Sequence, residues 1–142
     1  MTTFKTSREF AATPAGVFAA FSHPDRLARW WGPAGFTNTF ELCEFKAGGK
    51  WKFTMHGPDG SNYPNESVFA EIEADRKVVI DHVCRPFFRL TVELHASATG
   101  AQLTWAQAFA EPAVAEAVRL IVEPSNEQNL DRLAVEVAGG GV

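Results

Sequence analysis

A histidine and a glutamate on neighbouring segments are the side chains of this sequence best placed for proton transfer. His82 has the strand parity of Ile80, so we expect both side chains to point to the same inner face. Glu66 has the parity of Val68 on the preceding strand, which would bring its carboxyl close to His82. With Tyr63 at the rim, these side chains would form an acid–base set in an apolar pocket. The alternative is that His82 is a hydrogen-bonded core residue without a catalytic role.

Two asparagines interrupt an apolar helical stripe near the C-terminus. Asn126 and Asn129 recur at helical spacing with Leu130 and Leu133. A buried amide without a partner costs about 1–3 kcal/mol, so each asparagine must find one. Either the two amides cap the start of the helix and bond backbone groups at the rim of the sheet, or they present donors and acceptors to a ligand.

The aromatic content predicts either a bulky core or a pocket, because the chain has twelve Phe, four Trp and one Tyr. So many rings facing a helical stripe of Asn, Leu and Ala are hard to pack solid, and we therefore expect a ligand-sized cavity. The candidate ligand-binding residues are Trp30, Trp31, Trp51, Phe53, Met55, Tyr63, Ile80, Trp105, Phe109, Asn126, Asn129, Leu130 and Leu133.

Charge and composition exclude several classes of function. The net charge is −4 and the Lys and Arg residues are scattered, so no basic face is available for nucleic acid. No apolar run approaches the roughly 20 residues that cross a bilayer, and no secretory signal begins the chain, so we expect a cytoplasmic protein without membrane contact. Cys43 and Cys84 are expected to be small buried thiols with nothing nearby to activate them. The four histidines lack metal-ligand spacing, so neither a metal nor another cofactor is predicted.

The scaffold that must position these residues is predicted to be one α+β domain over residues 1–142. After an opening strand, Thr13-Pro14 predicts the first of two short helices. Period-two alternation then predicts strands at Phe36–Phe45, Lys50–His56, Ser67–Glu73, Lys77–Val83, Phe87–Ala96 and Gln102–Phe109. A helical period returns after Pro112, and we expect Pro124 to begin a final helix that ends near Val137, before a frayed glycine tail.

Three stretches carry a resemblance to a known superfamily. They are PDRLARWWGP at Pro24–Pro33, GGKWKFTMHGPDG at Gly48–Gly60 and NEQNLDRLA at Asn126–Ala134. In this order the chain resembles the START-like superfamily (SRPBCC, or birch-pollen-allergen-like), within its Aha-type heat-shock-ATPase-activator branch. The resemblance implies a helix-grip fold, in which a seven-stranded curved antiparallel sheet wraps around a long C-terminal helix and leaves a cavity. Relatives often have Gly-Trp at the start of the last helix, where this chain has Ser125-Asn126.

Three functions are compatible with these features. The first is binding of a small hydrophobic molecule, aromatic or polycyclic, in the cavity. The second is a cyclase, dehydratase or hydrolase that uses His82 and Glu66, which requires both side chains on one face of the sheet. The third is a co-chaperone-like protein-interaction module, which the resemblance implies and which needs an exposed docking surface. The exposed strand edges also allow a homodimer.

Overall fold

A computed structural model describes residues 2–139 as seven strands and three helices. The strands are β1 (Thr2–Phe10), β2 (Thr37–Cys43), β3 (Lys50–His56), β4 (Asn62–Glu73), β5 (Lys77–His82), β6 (Phe88–Ser97) and β7 (Gly100–Phe109). The helices are α1 (Pro14–Ser22), α2 (Pro24–Trp30) and α3 (Pro112–Ala138). The two short helices follow the first strand, as predicted.

All seven strands form one antiparallel sheet in the order β1-β7-β6-β5-β4-β3-β2. The strands from β2 to β7 pair with their neighbours in the chain, and β1 adds to the outer side of β7. The register shifts between Phe40 and Leu42 and between Phe69 and Glu71. Such irregularities bend the strands that contain them, which suits a sheet curved around a helix. The predicted α+β helix-grip architecture is confirmed.

Local signals in the sequence begin the first short helix and join it to the second. The Thr13 hydroxyl accepts a hydrogen bond of 3.1 Å from the Gly16 backbone N–H, and Pro14 takes the first helical position. At the end of α2, the indole N–H of Trp30 donates to the Ala20 carbonyl of α1 over 2.9 Å. This bond fixes the two helices to each other where the tryptophan enters the core.

The C-terminal helix is longer than the sequence predicts. α3 is continuous from Pro112 to Ala138, so the prediction that the last helix begins at Pro124 is wrong. Pro124 lies inside α3 on its exposed side, and it lacks the N–H that would bond the carbonyl of Leu120. Packing of residues from both halves of α3 overrides this local signal. The predicted frayed tail lies outside the described residues from Gly140 onward.

Two apolar clusters lie between α3 and the sheet. The main cluster contains all four tryptophans and, from α3, Leu130 and Leu133. The second joins Phe4 and Phe109 to Ala115. The N-terminal half of α3 therefore packs near β1 and β7, and its C-terminal half packs on the main cluster. Within residues 2–139, no helix combines the length and the apolar character needed to cross a membrane.

Candidate functional site

A pocket of about 260 Å³ lies between the inner face of the sheet and α3. Strands β3 to β7 form one wall, and α3 forms the other between Ile121 and Asn129. The loop after α2 contributes Trp31, Gly32 and Pro33. The wall is mostly apolar, and it contains no Asp, Glu, Lys or Arg among the described residues.

Several of the predicted site residues line this pocket. They are Trp31, Phe53, Met55, Ile80, His82, Trp105, Asn126 and Asn129. On β3 and β5, the sequence parity identifies the inward face correctly, because both strands alternate regularly at these positions.

The other predicted ligand-binding residues do not line the pocket. Trp30, Trp51, Leu130 and Leu133 pack in the main cluster, Phe109 packs in the second cluster, and Tyr63 is 47% exposed beside Phe36. Trp51 shows the physical reason, because its ring stacks on those of Phe53 and Phe69 at centroid distances of 4.2 and 5.4 Å. Aromatic stacking of this kind fills part of the space that the sequence predicts to be empty.

The predicted pairing of Glu66 with His82 is wrong. In the register of β4 and β5, Ser67 lies opposite His82. Glu66 is one residue away and therefore points to the outer face, where its carboxylate is 59% exposed and lies 4.0 Å from Lys52. Tyr63 does not join His82 either. The acid–base set predicted from these three side chains does not form.

Sequence reasoning missed the polar side chains that the inner face of β4 provides. Asn65 and Ser67 line the pocket beside His82, and they have the parity of the buried Phe69. The position of Phe69 therefore identifies them as inward-facing. The sequence also allows the opposite face of the strand, with Val68, to point inward. The pocket residues Ile121 and Val122 were missed for another reason, since the helix was expected to begin only at Pro124.

His82 is held at both edges of its ring. Its Nδ1 lies 2.7 Å from the Pro86 carbonyl oxygen, and its Nε2 lies 2.7 Å from Oδ1 of Asn65. The ring also stacks on Phe88, with centroids 4.5 Å apart and an interplanar angle of 11°. Burial lowers the pKa of His82 below its ordinary value, and the hydrogen bond to Pro86 partly offsets this effect. The imidazole is therefore oriented and favours its neutral form.

Cys84 lies next to this histidine. Its Sγ is 3.4 Å from Nε2 of His82, and the backbone N–H of Glu66 donates to the same sulfur over 3.5 Å. The expectation that nothing near Cys84 could activate it is wrong, because the imidazole of His82 contacts its sulfur. Among residues 2–139 the thiol of Cys43 has no such neighbour, and burial raises its pKa to about 11.

Comparison with known proteins identifies the family. The model of the family described as activator of Hsp90 ATPase homolog 1-like protein matches residues 11–138. The chain belongs to this family. Its place in the START-like superfamily, which the sequence resemblance implies, is thereby confirmed. No curated protein has a significant match to the chain.

Solved structures of other proteins have the same fold. A protein from Arthrobacter aurescens is 26% identical with a TM-score of 0.88, and the match covers 96% of this chain and 86% of that one. A protein from Nitrosomonas europaea is 16% identical with a TM-score of 0.86, covering 96% and 94%. An activator-homolog protein from Silicibacter pomeroyi is 21% identical with a TM-score of 0.79, covering 96% and 98%. These similarities establish the fold.

In this member of the activator-homolog family, the two asparagines of α3 bond side chains and backbone across the pocket. Asn126 Nδ2 donates to Oε1 of Gln107 on β7 over 3.1 Å, and Asn129 Nδ2 donates to the Trp30 carbonyl over 2.9 Å. Neither asparagine caps a helix start, since α3 begins at Pro112. Both amides therefore connect α3 to other elements while also lining the pocket.

Arg132 fixes the loop that closes one end of the pocket. Its guanidinium donates hydrogen bonds of 2.8–3.1 Å to the backbone carbonyls of Arg29, Trp31, Gly32, Pro33 and Phe36. Burial lowers the pKa of Arg132 from its ordinary value. Because no carboxylate takes part in these bonds, the group acts as a cap on the end of α2 and on the loop after it.

Proposed function

We propose that this chain binds a small, uncharged and largely apolar ligand of one or two rings in the pocket between α3 and the sheet. The observation that carries the proposal is the pocket itself, with an apolar wall and the polar side chains Asn65, Ser67 and His82 on neighbouring strands. Apolar walls with a few fixed polar groups are typical of small-molecule sites.

The volume supports a ligand of limited size. At about 260 Å³, the pocket is larger than the roughly 150 Å³ cavity that accommodates benzene in an engineered protein core. It is slightly smaller than ordinary ligand pockets, which range over about 300–1,000 Å³. One or two rings therefore fit better than the larger polycyclic ligands that the sequence also allows.

The composition of the wall supports an uncharged ligand. The described lining residues include no Asp, Glu, Lys or Arg that could pair with a buried charge. A charged ligand would lose its hydration without compensation, which costs several kcal/mol. The neutral form of His82, favoured by burial, adds no charge at the polar end.

The indole N–H of Trp105 supports a ligand with an acceptor oxygen. Trp105 is 3% exposed and lines the pocket, and its Nε1 has no hydrogen-bond acceptor among the described residues. A buried donor without an acceptor costs about 1–3 kcal/mol. A hydroxyl or carbonyl group on the ligand would offset this cost.

Naphthalene derivatives test the proposal directly. We expect 2-naphthol to raise the melting temperature and to give a saturable heat of binding in calorimetry, because it binds only the folded state. We expect 2-naphthoate to bind at least about tenfold more weakly, since its carboxylate has no partner in the pocket.

Two adjacent residues on α3, one leucine and one isoleucine, provide a test variant and its matched control. Ile121 lines the pocket and is 66% exposed, whereas Leu120 is 89% exposed and does not line it. Ile121→Trp should obstruct the pocket and weaken 2-naphthol binding roughly tenfold, and Leu120→Trp should leave it unchanged. Equal effects of both substitutions, or no saturable binding by the unaltered protein, would contradict the proposal.

An enzyme that uses His82 with Glu66 is not proposed, because the two side chains point to opposite faces of the sheet. A co-chaperone-like interaction stays a prediction. The family description refers to activation of the Hsp90 ATPase, and the apolar side chains Leu120, Ile121 and Val135 are exposed on α3.

A further inference from the structure

At the polar end of the pocket, the imidazole of His82 is in direct contact with the thiol of Cys84, which does not itself line the pocket. Cys84 Sγ lies 3.4 Å from Nε2 of His82, a distance at which the thiol can donate its proton to the ring nitrogen. The Glu66 backbone N–H donates to the sulfur over 3.5 Å, and the Glu66 carbonyl oxygen lies 3.8 Å from it, so the backbone of β4 holds the thiol beside the ring. Cys84 is half-buried, so small molecules can reach it.

Two hydrogen-bond acceptors face the ring of His82 and are available to it once it has taken up a proton. Two oxygens, those of Pro86 and Asn65, lie 2.7 Å from its two ring nitrogens. A neutral imidazole has one N–H and can donate to only one of them, whereas an imidazolium donates to both. The Asn65 amide is oriented by its own Nδ2, which donates to the Tyr63 carbonyl over 2.8 Å. Its oxygen therefore remains directed at Nε2.

The nearest carboxylates do not compete for this role. Glu66 points to the outer face near Lys52, and Asp81 forms a bidentate pair with Arg89 at 2.6 and 2.8 Å. Cys84 is therefore the titratable group that contacts the ring of His82. Burial lowers the pKa of His82, so the ring is available as a base at neutral pH.

We propose that Cys84 and His82 form a nucleophile–base pair that makes covalent adducts with uncharged α,β-unsaturated carbonyl compounds. The thiol proton moves to Nε2 of His82, and the thiolate forms a C–S bond to the β-carbon. The π electrons of the C=C bond move to the enolate, whose α-carbon then takes the proton from His82. The sum of the steps is addition of S–H across the double bond, and no further reactant is consumed.

The proposed pocket ligand and this electrophile class are chemically compatible. An unsaturated carbonyl compound is uncharged, and its oxygen is the kind of acceptor that the Trp105 N–H lacks. Delivery of the electrophile by the pocket rests on the proposed function. The reactivity of the pair toward a very small probe does not, and the two can be tested separately.

Acrylamide is the small probe, and Cys43 is the internal control. After timed reaction at pH 7, peptide mass spectrometry gives a rate for each cysteine. We expect Cys84 to react at least about tenfold faster than Cys43, and His82→Gln to reduce the Cys84 rate at least about tenfold. Glu71→Gln should leave it unchanged, because that carboxylate pairs with Lys77 and contacts neither member of the pair. A misfolded His82→Gln protein would be recognised by a raised rate at Cys43.

The pH profile tests the pair without any substitution. Below pH 7, we expect Cys84 to react faster in the unaltered protein than in His82→Gln. In His82→Gln, the Cys84 rate should rise only as the pH approaches the ordinary thiol pKa of about 8.5. An ordinary thiol profile in the unaltered protein, or equal rates at the two cysteines, would overturn the proposal.

N-phenylacrylamide separates the pair from the pocket, since it differs from acrylamide by one ring. A faster reaction with the phenyl compound at Cys84, lost in Ile121→Trp, supports delivery through the pocket. A high acrylamide rate without preference for the phenyl compound supports the pair and contradicts delivery by the pocket.

Discussion

At the residue scale, the ring of His82 links the polar end of the pocket to the stability of the fold. Burial lowers its pKa from the ordinary 6.5, so the unfolded chain binds more protons at this position than the folded one between the two pKa values. The stabilising contribution of neutral His82 is therefore fully present above pH 6.5 and is lost as the pH falls through the folded pKa.

Urea unfolding at several values between pH 5 and pH 8 measures this effect. We expect the free energy of unfolding to decrease toward pH 5, and the decrease to be smaller in His82→Gln, which has no group that titrates there. The same pH dependence in both proteins would show that His82 is not responsible.

At the element scale, the position of α3 depends on a few long-range contacts rather than on its local sequence. Pro124 is a strong signal for a helix start, yet the helix continues through it from Pro112 to Ala138. Ala115 packs near the β1–β7 edge and Leu130 packs in the main cluster, on opposite sides of the proline along the chain. Burial at both places stabilises the helix enough to tolerate one missing backbone hydrogen bond.

Arg132 gives the sharpest prediction at this scale, because it bonds five backbone carbonyls of α2 and the following loop. Arg132→Met keeps the aliphatic stem but removes these donors. Among the described residues, only the carbonyls of Trp31 and Pro33 keep another hydrogen bond, from Asn38 and from the Phe36 N–H. We expect it to lower the free energy of unfolding by about 3 kcal/mol in urea titrations, and to weaken 2-naphthol binding, since the loop carries Trp31.

Arg8 is the matched control for this substitution. It pairs with Glu127 and Asp131 on the same helix at 3.0 and 2.8 Å, but those carboxylates are 49% and 68% exposed. Arg8→Met should therefore cost no more than about 1 kcal/mol. A larger loss for Arg8→Met than for Arg132→Met would show that the loop contacts are weaker than the ion pairs.

At the scale of the whole molecule, α3 connects the two clusters and should make them unfold together. Leu130 is fully buried in the main cluster, and Leu130→Ala should lower the free energy of unfolding by about 3 kcal/mol. Leu120 on the same helix is 89% exposed, so Leu120→Ala should change it by less than about 0.5 kcal/mol.

Two spectroscopic signals report on this cooperativity. All four tryptophans belong to the main cluster, so their fluorescence follows that part of the core. Far-ultraviolet circular dichroism follows the whole sheet and α3. We expect both signals to give one midpoint in the unaltered protein and in Leu130→Ala. Separate midpoints would contradict a single cooperative unit.

A homodimer through the strand edges stays a prediction.

The sequence by itself determined the order of the elements, the α+β class and the inward faces of β3 and β5, because strand alternation and turn residues are local properties. It also predicted Trp31, Ile80 and Asn129 as pocket residues. The side chain that faces His82 was decided only by tertiary structure, because register depends on pairing between strands and a shift of one residue exchanges Glu66 for Ser67.

The contact between Cys84 and His82 and the continuity of α3 also required the folded chain. The contact between Cys84 and His82 depends on the path of the chain after β5. The continuity of α3 depends on burial of apolar side chains against residues that are distant in the sequence. Neither is a property of the neighbouring residues alone. The division between ring-filled core and open pocket has the same origin, since only three-dimensional packing shows that Trp51 is covered by other rings while Trp105 borders empty space.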